Sequence, residues 1–112
     1  MAALYVYIKE ETPNLITLAV KSKKEVKVEI DVSTTADFIT GMQAKLANDV
    51  PVTKVMLDIG DVGYIDSCGA WSLFELSKDL RVKGTDLVLI NVPDVVRNIL
   101  KTTGFDKHIS LN

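Results

Sequence analysis

Residues 55–90 read VMLDIGDVGYIDSCGAWSLFELSKDLRVKGTDLVLI. Val55, Met56, Leu57 and Ile59 form a compact apolar run of the kind a buried strand carries, and Leu87 to Ile90 form a second. The intervening segment from Ser67 to about Lys83 has helical spacing. At about 100° per residue, Gly69, Leu73, Leu76 and Leu80 share one face, which should pack on a sheet. Trp71, Phe74 and Lys78 fall on the opposite side, roughly in line with Ser67. Gly84 supplies the stop. Strand, helix and strand in this order predict a parallel pair joined by a right-handed crossover.

Working outward, Leu4, Val6 and Ile8 alternate with Tyr5 and Tyr7, a strand signal. Thr12-Pro13-Asn14 is turn chemistry, and Leu15 to Val20 is a second strand with Ile16, Leu18 and Val20 on one side. Val26, Val28, Ile30 and Val32 alternate with charged residues as a third strand. A helix is expected from Ser33-Thr34-Thr35, whose hydroxyls can cap its free N–H groups, with Asp37 suited to the positive end of the dipole. Its apolar stripe is Ile39, Met42 and Leu46, and Asn48-Asp49 ends it. Beyond residue 90, Pro93 fits the first turn of a third helix. Val96, Ile99 and Leu100 form that helix's stripe, Gly104 closes it, and His108 to Leu111 add a short final segment. The sum is an α/β fold: a mixed sheet of four to five strands with helices packed against it.

The chain has 112 residues, 47% of them apolar and 25% charged, with a formal net charge of -2. One domain over residues 1–112 is expected. The totals imply no basic face and no direct nucleic-acid partner. The lysines at 21, 23, 24 and 27 interleave with Glu25 and Glu29 and read as a solvated turn. One cysteine, Cys68, and one histidine, His108, exclude an internal disulfide and argue against a metal cage. No apolar stretch approaches the ~20 residues of a membrane span. The opening MAALYVYIKEE lacks the features of a signal peptide, so a cytoplasmic location is expected. No cofactor is implied.

The junction Asp66-Ser67-Cys68-Gly69-Ala70-Trp71 leaves a glycine-containing loop and opens a helix, where free N–H groups welcome anions. It resembles the D-S-S/T-G-L-G junction of the STAS family, which includes the anti-sigma-factor antagonists. Three more segments match in order: Val28-Glu29-Ile30-Asp31-Val32-Ser33-Thr34, Gly84-Thr85-Asp86-Leu87-Val88-Leu89, and Asn91-Val92-Pro93 with Thr103-Gly104-Phe105. The register is clear over about residues 28–106. The resemblance implies the STAS fold and a phosphoacceptor role for Ser67, with Asp31 and Asp66 close by. It further implies that the unphosphorylated form binds a serine kinase that is itself an anti-sigma factor, regulating transcription indirectly. Another regulatory protein could take the kinase's place, and homodimer formation stays open.

Physical chemistry supports a switch at Ser67. A phosphoserine carries nearly two negative charges, which a helix N-terminus stabilises by roughly a kcal/mol. Phosphorylation there would act on a docked partner rather than on the fold. The plainer role is a helix cap supplied by Ser67 or Asp66. Trp71 stands where the family usually has glycine. Trp71 and Phe74 are candidate docking residues beside Asp31, Asp66, Ser67, Cys68 and Gly69, unless another element covers them. Cys68 replaces the family's second Ser/Thr. It is expected to be a small buried packing residue rather than a reactive thiol.

A second functional class is a constitutive STAS scaffold in a signalling assembly or transporter complex. A third is an enzyme using Ser67 or Cys68 as nucleophile. No G-x-S-x-G elbow or Walker-type phosphate loop accompanies them, and His108 is expected at the surface rather than as a general base. The expectation is a binding module without catalysis.

Overall fold

The computed structural model describes residues 4–23, 27–46 and 52–111. The elements are β1 (Leu4–Glu11), β2 (Leu15–Ser22), β3 (Val28–Ile30), α1 (Thr35–Leu46), β4 (Lys54–Asp58), β5 (Val62–Ile65), α2 (Ser67–Val82), β6 (Asp86–Ile90), α3 (Asp94–Thr103) and β7 (Ser110–Leu111). A 3-10 turn, Phe105–Lys107, precedes β7. Five strands form a mixed sheet in the order β1-β2-β4-β6-β7, and β3 with β5 forms a separate two-stranded sheet.

β1 and β2 pair antiparallel about Thr12-Pro13-Asn14, where the Thr12 N–H donates to the Leu15 carbonyl at 2.8 Å. β2, β4 and β6 then run parallel, as two apolar strands separated by a helix require. Register aligns Leu18, Leu57 and Leu89 across them, all fully buried. Phe38 and Met42 of α1, Leu73 of α2 and Leu100 of α3 close the same core. Each such side chain contributes about 1.5–3 kcal/mol by leaving water.

Helix α2 presents Gly69, Leu73, Leu76 and Leu80 to the interior, as its spacing predicts. Gly84 and Gly104 follow α2 and α3 in the left-handed region, at φ 82° and 81°, where a side chain would be strained.

Several expectations need correction. The third strand stops at Ile30, and Val32 is 73% exposed in a turn; Val26 lies outside the described residues. Asp31 causes the stop. Its Oδ1 accepts the Ser33 N–H at 2.9 Å and the Ser33 hydroxyl at 2.6 Å, a local turn that competes with strand pairing. Thr34 does not cap α1 forwards, because its hydroxyl donates back to the Glu29 carbonyl at 2.7 Å. The first-turn N–H of Thr35 goes instead to the Asp31 carbonyl. In α1 the buried residues are Phe38 and Met42, with Ile39 and Leu46 only partly covered. The expected stop at Asn48-Asp49 lies outside the described residues. β5 occupies what read as loop, and Ile8 is 40% exposed despite its place in the alternation. Pro93 is the residue before α3 rather than within its first turn.

Candidate functional site

The junction between β5 and α2 is held by one side chain. Asp66 has extended backbone and caps α2, one carboxylate oxygen accepting the Gly69 N–H at 2.8 Å. Its other oxygen accepts the Val32 N–H at 3.2 Å, and its own N–H donates to the Ile30 carbonyl at 3.3 Å. The turn containing Asp31 is thereby tied to the start of α2, although the two segments lie 34 residues apart.

Because Asp66 takes the cap, Ser67 is free of that duty. It is the first residue of α2 and exposed. Gly69 is buried, and a Cβ there would overlap the Ile30 carbonyl oxygen and crowd Ile65. Gly69 was grouped with the partner-contacting residues, but it faces inward and offers a partner no surface. Its role is to let α2 approach β3. Cys68 is exposed, contrary to the packing expectation. Gly69 and Ala70 take the two inward positions of this turn, so Cys68 points out.

Hydrogen bonds from the Ser33 hydroxyl first, then from the Ser33 N–H and from Thr34, hold the Asp31 carboxyl below the ordinary aspartate range. Asp31 and Asp66 belong to neither ion pair seen among the described residues, which are Lys9–Asp58 at 2.7 Å and Lys21–Asp61 at 4.0 Å. Among the described residues neither carboxylate has a cation of its own.

One turn along α2, Trp71 remains 51% exposed. Its ring lies 5.3 Å from that of Phe74 and 5.8 Å from that of Phe105. Phe74 stacks on Phe105 at 5.1 Å and meets the edge of His108 at 5.6 Å. The segment after α3 therefore covers Phe74 in part and leaves one side of Trp71 open. Phe105 and His108 were not expected here. Their shared aromatic character is the only trace of the contact in the sequence. His108 is exposed and serves Phe74 as a ring neighbour, while its carbonyl accepts from Arg81 at 3.1 Å. Among the described residues no group of three or more His, Cys, Asp or Glu side chains gathers as a metal site, and no helix is long and apolar enough to cross a membrane.

Fold and junction together define an α/β domain that presents a capped helix start and an aromatic knot at one rim of its sheet. The chain belongs to the STAS domain family, whose model matches residues 7–112. Its fold is similar to that of the anti-sigma factor antagonist SpoIIAA in its unphosphorylated form (TM-score 0.69, 13% identity, 96% of this chain and 87% of that one). The phosphorylated form of SpoIIAA, from Bacillus, matches at TM-score 0.63 and 12% identity, over 96% of this chain and 90% of that one. An anti-sigma factor antagonist from Mycobacterium paratuberculosis matches at TM-score 0.71 and 20% identity, over 99% and 89%. The murine Solute Carrier 26 family member A9 anion transporter matches at TM-score 0.75 and 18% identity, over 92% of this chain and 17% of the transporter. The chain thus spans most of the antagonists it resembles but under a fifth of the transporter.

Proposed function

We propose that this domain is a phosphorylation-switched protein-binding module, without catalytic activity, that acts in the manner of an anti-sigma-factor antagonist. Ser67 is the phosphoacceptor for a serine kinase that is also the binding partner, and Asp31, Asp66, Cys68, Trp71 and Phe74 surround the docking face. The observation that carries this reading is that Asp66 caps α2 and leaves the Ser67 hydroxyl exposed at the helix start. A phosphate there meets free N–H groups and a favourable dipole, so the fold tolerates it. Asp31 and Asp66 add negative charge beside it, so the change falls on whatever is docked. The module works in the cytoplasm and regulates transcription through its partner.

A constitutive scaffold is the second reading, favoured by one feature: the aromatic knot at Trp71 makes a contact surface that needs no phosphate. Capture from the cognate lysate by wild type, Ser67→Ala and Ser67→Asp separates the two, with mass spectrometry of residue 67. The switch predicts a kinase held by wild type and Ser67→Ala but released by Ser67→Asp. Equal capture of one protein by all three refutes the switch and leaves the scaffold.

A further inference from the structure

The turn between β3 and α1 lies at the surface, yet its backbone is fully bonded. The Asp31 N–H donates to the Thr34 hydroxyl oxygen at 2.9 Å, and that hydroxyl donates on to the Glu29 carbonyl. The Ser33 N–H goes to the Asp31 carboxylate. The Thr34 and Thr35 N–H groups go to the Asp31 carbonyl at 3.0 and 2.9 Å. The remaining N–H, that of Val32, donates to the Asp66 carboxylate at 3.2 Å. On this fixed turn the Val32 side chain is 73% exposed.

A single apolar residue on a surface is ordinary and needs no explanation. Val32 differs in two respects. Its backbone is pinned and its β-branched side chain has one stiff torsion, so little order is left to lose when something covers it. The group that pins it is Asp66, the cap of α2 and the residue before Ser67. Beyond Ser67, Cys68 and Trp71 are exposed as well, and a free cysteine behaves as a small apolar group. Three apolar side chains from two segments thus gather with Ser67 among them.

We infer that Val32 is a contact and specificity residue for the serine kinase, entering an apolar pocket on that partner. The inference rests on the switch reading of Ser67 and states what the partner must offer: apolar surface around the seryl hydroxyl, with a recess shaped for a branched aliphatic side chain. Docking on Val32 and Trp71 strips water from Ser67. A phosphate on Ser67 would then lose its hydration inside an apolar contact, which is costly. The apolar surround therefore sharpens the difference between the two forms of the domain.

The test uses the purified serine kinase that Ser67→Ala retains. Its affinity for the domain is read by calorimetry, and its KM and kcat by phosphorylation of Ser67, on wild type, Val32→Thr and Val32→Asp. Val32→Thr keeps the branching and adds a hydroxyl. Both variants should unfold in urea at the wild-type midpoint, because the side chain they change is exposed. Val32→Thr should weaken binding roughly tenfold and Val32→Asp roughly a hundredfold or more. KM should rise by similar factors with kcat unchanged, since uniform binding is what is lost. A merely structural role would move the urea midpoint and not KM. A kinase that binds and phosphorylates Val32→Asp as well as wild type overturns this inference and leaves the switch at Ser67 standing. If Ser67→Ala retains no kinase and Ser67 is never phosphorylated, the switch reading falls and takes the inference with it.

Discussion

At the scale of single residues, Gly69 governs how close α2 can lie to β3. Any side chain there meets the Ile30 carbonyl, which is fixed by its hydrogen bond from Asp66. Gly69→Ala should therefore destabilise the fold by about 1–3 kcal/mol in urea denaturation, while Cys68→Ala, one residue away and exposed, should be close to neutral. The sequence singled out this junction because Asp, Ser and Gly in that order open a helix. It could not say whether Asp66 or Ser67 carries the cap, since both residue types serve equally well; the bond that Asp66 accepts from the Gly69 N–H decides for Asp66. The polar network at Asp58 left no local signature at all. Its partners Lys9 and Asn91 lie 49 and 33 residues away, and chain folding alone brings them together.

At the scale of elements, the legible parts were those with a strong period. The stripe on α2 ran from Gly69 to Leu80 as its spacing required, and the central strands declared themselves as apolar runs. Leu73, fully buried at the middle of that stripe, should cost about 2–5 kcal/mol when cut to alanine, read as a lower denaturation midpoint. The illegible element was β5. Val62-Gly63-Tyr64-Ile65 is four residues long and begins just after Gly60, so it carries turn chemistry as much as strand chemistry. What makes it a strand is its partner β3, and pairing is a non-local fact. β3 was overextended for the converse reason: its alternation continues through Val32, but the Asp31 side chain bonds Ser33 and turns the backbone away.

At the scale of the whole molecule, Lys9 joins the hairpin at the sheet edge to the centre. It occupies an irregular step in β1, where the register shifts between Ile8 and Glu10, and such bulges re-aim side chains. Its ammonium reaches Asp58 at 2.7 Å. Burial by itself pushes the Asp58 carboxyl up, but Lys9, the Gly60 N–H and the Asn91 amide together bring it below the ordinary value. Asp31 is depressed as well. A depressed carboxylate contributes stability that is present above its unfolded pKa of about 4 and is lost as pH falls through the folded value. Thermal stability should thus hold steady through neutral pH and decline on acidification below about pH 4, with a shallower decline in Lys9→Gln. Lys9 is raised, chiefly by its hydrogen bond to Asp58, so its own contribution fades only at strongly alkaline pH.

Trp71 is the only tryptophan in the chain, and it stands half-exposed one helical turn beyond Ser67. Indole emission shifts with the polarity around the ring, and no second indole dilutes the signal. Fluorescence of the unlabelled protein therefore reports on a single spot of its surface, the one beside the proposed switch. A partner that covers Trp71 moves the emission to shorter wavelength.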